Sequence, residues 1–528
     1  MRGELRDSLE FLYADDTVAK KPRRSIRVDV ARGGTASVHV LVNGLAPGGT
    51  VQLTVRRKGR AVLGAKWFRL IDVPVEVNTG PAGFVEKEGE RNRFVARRAP
   101  LRVYDAMEPV GKSVSVTSPT VALRLHVPVP PDARPGTRDY TLELRSGRDS
   151  VDLAFRVTVH KAVVPPVGRD SFFYTNWFSL DNMASRHGLK PWGEAHWRMI
   201  RKYARLMHHG RQNMFWLPLS DVFTVKRGVA VLDRARLRRL VRTFTRAGLH
   251  HIEGGHVAHR TGGEWKATSF DIGLTGERAT SIEGNAALAH VCRQLMDEID
   301  RNGWRSRWIQ HVADEPADTN AADYRILAGM VRRHLPGLPI LDATMNLSLA
   351  GSVDIWCPQV QEYQRHRRAF EAQRATGDHV WFYTCCFPGG PWLNRLLDME
   401  LLRPALFGWA AARYDLEGFL HWGLNHYGRG QDPFERSVIP HGGGTALPAG
   451  DTHVVYPGTG APWSSVRFEA QREGIEDHEL LKALRMRDAR AATGIIRRAL
   501  RAFDDYTKDV KMFRAARNAL LEKLNGRR

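Results

Sequence analysis

The chain has 528 residues, 43% hydrophobic and 26% charged. This is ordinary globular usage over a length that suits several domains of roughly 150 residues, and it excludes a collagen-like or largely disordered chain. Lys and Arg number 79 against 57 Asp and Glu, a net charge of +22. The excess is spread along the chain rather than clustered, which reads as a solvated basic surface and not as a nucleic-acid patch.

Only 15 of the basic residues are Lys, and none lies between Lys266 and Lys482. A Schiff-base or phosphate-loop lysine is therefore excluded from that stretch. No run of about 18 apolar residues is present to span a membrane as a helix. The N-terminal MRGELRDSLEFLYADD is charged and lacks an apolar signal core, so a cytoplasmic location is expected. The four cysteines, Cys292, Cys357, Cys385 and Cys386, show no C-x-x-C spacing and suit a reducing compartment, with Cys385 and Cys386 expected as buried thiols at a strand end.

Residues 1–165 read as strands. Val151, Leu153, Phe155, Val157 and Val159 alternate with Asp152, Arg156, Thr158 and His160, and Val38, Val40 and Val42 repeat the pattern. Period two marks strands with one buried face. Turn signals at Pro47-Gly48-Gly49, Pro81-Ala82-Gly83 and Pro135-Gly136 separate them, so an antiparallel β-sandwich is expected. Val163 to Gly168, with Pro165-Pro166, is the expected linker.

From 169 to 485 short apolar runs alternate with amphipathic helical stretches. Eight strands are predicted, over 172–178, 214–219, 250–256, 307–313, 339–344, 353–357, 379–385 and 418–424. Strands alternating with helices imply parallel pairing through right-handed crossovers, and eight such units fit a TIM-type (β/α)8 barrel. The G-x-G-x-x-G fingerprint of a dinucleotide-binding sheet is absent after the first strand. Residues 486–528 read as a basic helical tail, with the stripe Val510, Phe513, Ala516, Leu520 and Leu524 expected to pack on the barrel or cap it.

In such a barrel the site lies at the C-terminal ends of the strands. Standing there are Asn176, Trp177, Trp216, Glu253, His311, Asp314, Glu315, Asp342, Gln359, Tyr363, Tyr383, Trp422 and Asn425. Aromatic faces stack on pyranose rings while carboxylates, amides and imidazoles bond hydroxyls, so the set suits a sugar. Adjacent Asp314 and Glu315 diverge too much to act as nucleophile and acid across one anomeric centre. They suit substrate-assisted retaining hydrolysis instead, with protonated Glu315 as the acid and ionised Asp314 holding a 2-acetamido group that itself attacks the anomeric carbon.

The segment His311-Val312-Ala313-Asp314-Glu315-Pro316 resembles the strand-four motif of the glycoside hydrolase family 123-like catalytic domain. Gly423-Leu424-Asn425, Gly450-Asp451, Tyr456-Pro457-Gly458, Ser465 to Ala470 and Arg472 to Glu479 resemble its C-terminal signature. The resemblance covers roughly 170–485. It implies a β-N-acetylgalactosaminidase-like activity, with Glu315 as acid/base and Asp314 orienting the acetamido group. A glycan partner is expected, with no cofactor or metal and neither a nucleic-acid nor a membrane partner; the oligomeric state stays open. Within the signature, Ser464-Ser465 is expected to cap a helix that Arg467 and Glu469 pin to the barrel. The alternatives are a metal-dependent barrel hydrolase, with ligands from His256-x-x-His259, His311-x-x-Asp314, His421 and His426, and a non-catalytic carbohydrate-binding protein.

Overall fold

The computed structural model describes residues 1–62 and 64–526. The chain packs as two compact units. The first holds Met1–Pro166, Cys386–Asp415 and Asn425–Arg528; the second holds Val167–Cys385 and Leu416–Leu424. Residues 386–415 and 425–485, read from the sequence as part of the barrel stretch, thus group with the N-terminal strands.

In the first unit two sheets form. One orders its strands Arg2–Asp7, Thr35–Asn43, Thr120–Pro128, Lys66–Val75, Leu101–Val110 and the short Ser464–Ser465, all antiparallel. The other orders Ser25–Arg32, Asp149–Val163, Gly136–Ser146, Thr50–Arg57 and Arg60–Ala61, with Ser113–Ser115 beside Thr50–Arg57. Its first pair is parallel and the rest antiparallel. The alternating residues Val38, Val40, Leu123 and Leu125 of one sheet share a buried core with Leu53, Val55, Leu142, Leu153 and Phe155 of the other.

The C-terminal segments complete this unit. Helix Leu402–Tyr414 crosses helix Val466–Arg487 backbone to backbone, and a Cβ on Gly408 would stand 1.9 Å from the Gly474 carbonyl oxygen. Only glycine allows that approach. Ser465 caps the second helix by accepting from the Phe468 N–H.

The next residues of that helix carry a buried ion network. Arg467 donates to Asp105 of strand Leu101–Val110 at 2.9 and 3.0 Å and to the carbonyls of Arg395, Gly450 and His453. Arg467 therefore pins the helix to the N-terminal sheet, correcting the expectation that it pins it to the barrel. Arg517 of helix Val510–Leu524 likewise donates to Asp477 and to the Asp29 carbonyl. The expected apolar stripe of that tail helix is buried at Phe513, Ala516, Leu520 and Leu524, but within the first unit.

In the second unit eight short strands run parallel: β1 (Phe173–Asn176), β2 (Met214–Leu217), β3 (His251–Gly254), β4 (Trp308–Gln310), β5 (Leu341–Ala343), β6 (Ile355–Cys357), β7 (His379–Val380 and Phe382–Tyr383) and β8 (Gly418–His421). Each falls within its predicted range. Ladders join β2–β3–β4, β5–β6–β7 and β7–β8–β1, and a parallel bridge, Gln310 to Ile340, links the first group to the second. The last strand thus returns beside the first. Between β1 and β2 no ladder occurs among the described residues; there the Asn213 side chain accepts from the Tyr174 N–H at 3.0 Å.

The strands are largely buried on both faces, as parallel strands under helices must be. Inward side chains from β1, β2 and β4 to β8, among them Phe173, Met214, Ile309, Leu341, Cys357, Tyr383 and Leu420, form one cluster. Helices cover the outside with spaced apolar faces, such as Trp197, Ile200, Tyr203 and Met207 of Glu194–His209. Of the cysteines, Cys292 and Cys357 are buried, while Cys385 and Cys386 are only half-buried, contrary to expectation.

The ion network gives a test. Arg467→Ala leaves buried Asp105 with the Tyr456 hydroxyl but without its charged partner, which costs about 3–5 kcal/mol. Urea unfolding should show a markedly lower midpoint; an unchanged midpoint would contradict the pin.

Candidate active site

At the C-terminal ends of β3, β4 and β5 the structure joins three buried ionisable groups. Glu253 on β3, His311 just past β4 and Asp342 on β5 are each fully buried. The His311 ring stands between the two carboxylates: Nε2 is 2.9 Å from Glu253 Oε1 and Nδ1 is 2.9 Å from Asp342 Oδ1. Burial opposes a charge on the ring, but hydrogen bonds to Asp342 and Glu253 outweigh it and push His311 up to about 9. At neutral pH it is an imidazolium donating from both nitrogens.

The two carboxylates are occupied further. Glu253 also accepts from Thr175 Oγ1 at 2.5 Å and Trp177 Nε1 at 2.7 Å. Asp342 also accepts from the Tyr324 hydroxyl and the Val312 N–H. Burial raises the Asp342 carboxyl while His311 opposes that rise. Neither carboxylate is exposed to a substrate.

Around this base stands a ring of aromatics. Trp177 and Trp216 stack with centroids 4.4 Å apart and planes at 21°. His256 packs edge-on against both indoles and against His311. Burial holds His256 well below the usual imidazole value, with His311 and Arg260 adding to the push, so it is neutral. Its Nε2 makes no hydrogen bond among the described residues and lies 3.9 Å from Asp314 Oδ1 and 3.8 Å from Asp342 Oδ1.

Asp314 and Glu315 follow β4 and are half-buried. Glu315 has a left-handed backbone, φ +45°, a conformation that costs a residue with a Cβ about 1–3 kcal/mol. Arg260 Nη2 donates to its carbonyl at 2.6 Å. Its carboxylate accepts from the Tyr383 hydroxyl, and Gln359 Nε2 donates to the same hydroxyl at 2.9 Å. Loss of water around the pair, then the charge of Glu315, pushes Asp314 up to about 7. Burial also raises Glu315, against the hydrogen bond from Tyr383. Two adjacent carboxyls that both resist ionisation hold one proton between them near neutral pH.

Of the predicted site residues, Trp177, Trp216, Glu253, His311, Asp314, Glu315, Asp342, Gln359 and Tyr383 are joined in this cluster. Trp422 follows β8, half-buried. Asn176 is fully buried with its amide donating to Gln212 at 3.0 Å, a structural bond. Tyr363 is corrected as a sugar contact: it is buried in helix Val360–Arg365, donates to Glu371 at 2.6 Å and stacks on Phe370. Asn425 lies in the first unit, where it bridges His453. Sequence reasoning does not find Thr175, Arg260 or Tyr324. Tyr324 lies on the buried face of helix Ala321–His334, where a tyrosine reads as core.

Ligand atoms of His256, His311 and Asp342 lie within 4.8 Å of one another, a grouping to weigh as a metal site. His311 fits poorly as a ligand, because both its nitrogens already serve carboxylates. A cation there would have to displace Glu253 or Asp342.

The family model described as "Glycoside hydrolase 123, catalytic domain" matches residues 177–484. A family 123 glycoside hydrolase from Clostridium perfringens, whose structure details glycolipid glycan hydrolysis, shares the fold: the TM-score is 0.76 at 13% identity, over 99% of this chain and 97% of that one. The endo-β-1,4-mannanase of Thermotoga petrophila is more distant, with TM-score 0.38 at 12% identity over 59% of this chain and 78% of that one. No curated protein matches the chain. With more than half its length matched, the chain belongs to the glycoside hydrolase 123 family and is a glycoside hydrolase.

Proposed function

We propose that this glycoside hydrolase cleaves β-linked 2-acetamido sugars, N-acetylgalactosaminides in the first instance, by substrate-assisted retaining catalysis. The proposed frame is a closed (β/α)8 barrel with an N-terminal β-sandwich. One observation carries the reading: Asp314 and Glu315 meet at the strand ends, while the nearby Glu253 and Asp342 are buried and committed to His311. Neither of those two is free to be a nucleophile, so the substrate's own acetamido oxygen takes that part.

The steps follow from the residues. The sugar rests against the Trp177–Trp216 stack. Asp314 accepts a hydrogen bond from the acetamido N–H and turns the carbonyl oxygen towards the anomeric carbon. That oxygen attacks as the glycosidic bond breaks, and Glu315 gives its proton to the departing oxygen. An oxazolinium-type intermediate results. Glu315, now ionised, removes a proton from water, which opens the intermediate on the face the leaving group left. Two inversions give net retention. Tyr383, itself held by Gln359, keeps Glu315 aimed, and neutral His256 adds no charge beside Asp314.

The working state holds one proton on the pair. At low pH Asp314 is protonated and no longer a competent acceptor; at high pH Glu315 has no proton to give. The pH profile of kcat/KM should be a bell whose acidic limb lies near about 7, where Asp314 ionises, and whose alkaline limb follows the loss of the Glu315 proton, itself raised by burial. Tyr383 stabilises ionised Glu315, so Tyr383→Phe should shift that limb to higher pH. A limb that stays in place would remove Tyr383 from this role.

Activity tests the substrate and the acid together. Wild type should hydrolyse β-linked 2-acetamido sugars and leave their 2-hydroxy counterparts intact. Glu315→Gln should lose about 10²–10⁴ in kcat on unactivated disaccharides. Turnover of 2-hydroxy sugars would overturn the acetamido role, and so would inverted product at the start of an NMR time course.

A further inference from the structure

Trp265 stands out on the surface of the second unit. Its side chain is 56% exposed, at the tip of the hairpin formed by Ala258–Arg260 and Phe270–Ile272 after β3. One face of the indole is covered by Arg260, whose Cζ lies 4.0 Å from the ring centroid. That same guanidinium donates from Nη2 to the main chain of Glu315. A single arginine therefore separates an exposed tryptophan from the residue that protonates the leaving oxygen.

The hairpin is held in place. Thr261 Oγ1 donates to Asp271 at 2.8 Å, and Ser269 Oγ donates to Thr261 Oγ1 at 3.0 Å. Asn320 Nδ2 donates to the Ala267 carbonyl at 3.1 Å. Asp323, in the first turn of helix Ala321–His334, accepts from the Phe270 N–H and from Thr280 Oγ1. Asn320 and Asp323 lie on the segment that follows the Asp314-Glu315 pair. The loop bearing Trp265 and the loop bearing the acid are thus tied at several points. Such ties set the indole's position relative to the acid.

We infer that Trp265 is the aromatic platform of a leaving-group subsite, which takes the sugar on the reducing side of the scissile bond. The inference rests on the proposed function, since it places the subsite by the role of Glu315. Asp314 serves the acetamido side of the broken bond, and Glu315 serves the oxygen between the two sugars. What borders Glu315 through Arg260 therefore borders the departing sugar. The indole face away from Arg260 stacks on the apolar face of a pyranose.

The experiment compares two substrates with the same 2-acetamido sugar. One is a β-linked disaccharide; the other is the β-glycosyl fluoride, whose single-atom leaving group needs no subsite. For Trp265→Ala the disaccharide-to-fluoride ratio of kcat/KM should fall about tenfold, a typical aromatic stacking contribution. The loss should lie mainly in KM. Trp265→Phe, which keeps a stacking face, should hold the ratio near wild type. An unchanged ratio in Trp265→Ala overturns the subsite while leaving the proposed function intact, and so does an equal loss on both substrates. If wild type turns over neither substrate, the acetamido reading fails and the subsite falls with it.

Discussion

His311 stands between Glu253 and Asp342, all three shut away from solvent, and the geometry of the site depends on that arrangement. Three ionisable groups in a protein interior are costly unless each is paired. Here every one is, and the pairing reaches outward to Thr175, Trp177 and Tyr324. The result ties β1, β3, β4 and β5 and the helix after β4 to one charged core. The chain that leaves β4 through His311 reaches Asp314 and Glu315 within four residues. The Asp314-Glu315 pair therefore hangs from a fixed point, and its own strained backbone at Glu315 is held by Arg260.

The same arrangement divides labour among four carboxylates. Glu253 and Asp342 are saturated by donors and serve structure. Asp314 and Glu315 have fewer donors, crowd each other, and resist ionisation. Environment rather than residue type sets the two pairs apart. In the first unit, buried charge joins elements: Arg467 with Asp105 ties helix Val466–Arg487 to an N-terminal strand, and Arg517 with Asp477 ties the two C-terminal helices together.

Much of this was legible in the sequence. The eight strands showed as short apolar runs separated by helical spacing, because parallel strands buried on both faces cannot hide their composition. Asp314-Glu315 was legible because two acids directly after an apolar strand are out of place in a core. The structural role of Glu253, His311 and Asp342 was not, since a pattern locates residues at strand ends but does not say which ones spend their hydrogen bonds on each other. Tyr363 failed for a related reason: it follows β6 closely, yet the helix beginning at Val360 turns it into packing with Phe370. The grouping of 386–415 and 425–528 with the N-terminal strands was also hidden. It rests on Gly408 meeting Gly474 and Arg467 meeting Asp105, contacts between residues far apart in the chain that no local periodicity records.

The central claim is that the substrate's own acetamido oxygen is the nucleophile beside Asp314 and Glu315. The most direct test is a series of aryl β-glycosides in which the acetamido group is replaced by mono-, di- and trifluoroacetamido groups. Each fluorine weakens the carbonyl oxygen as a nucleophile and leaves the rest of the sugar unchanged. The account predicts that kcat/KM falls steeply at every step. A rate insensitive to fluorination would contradict it and place the nucleophile on the protein.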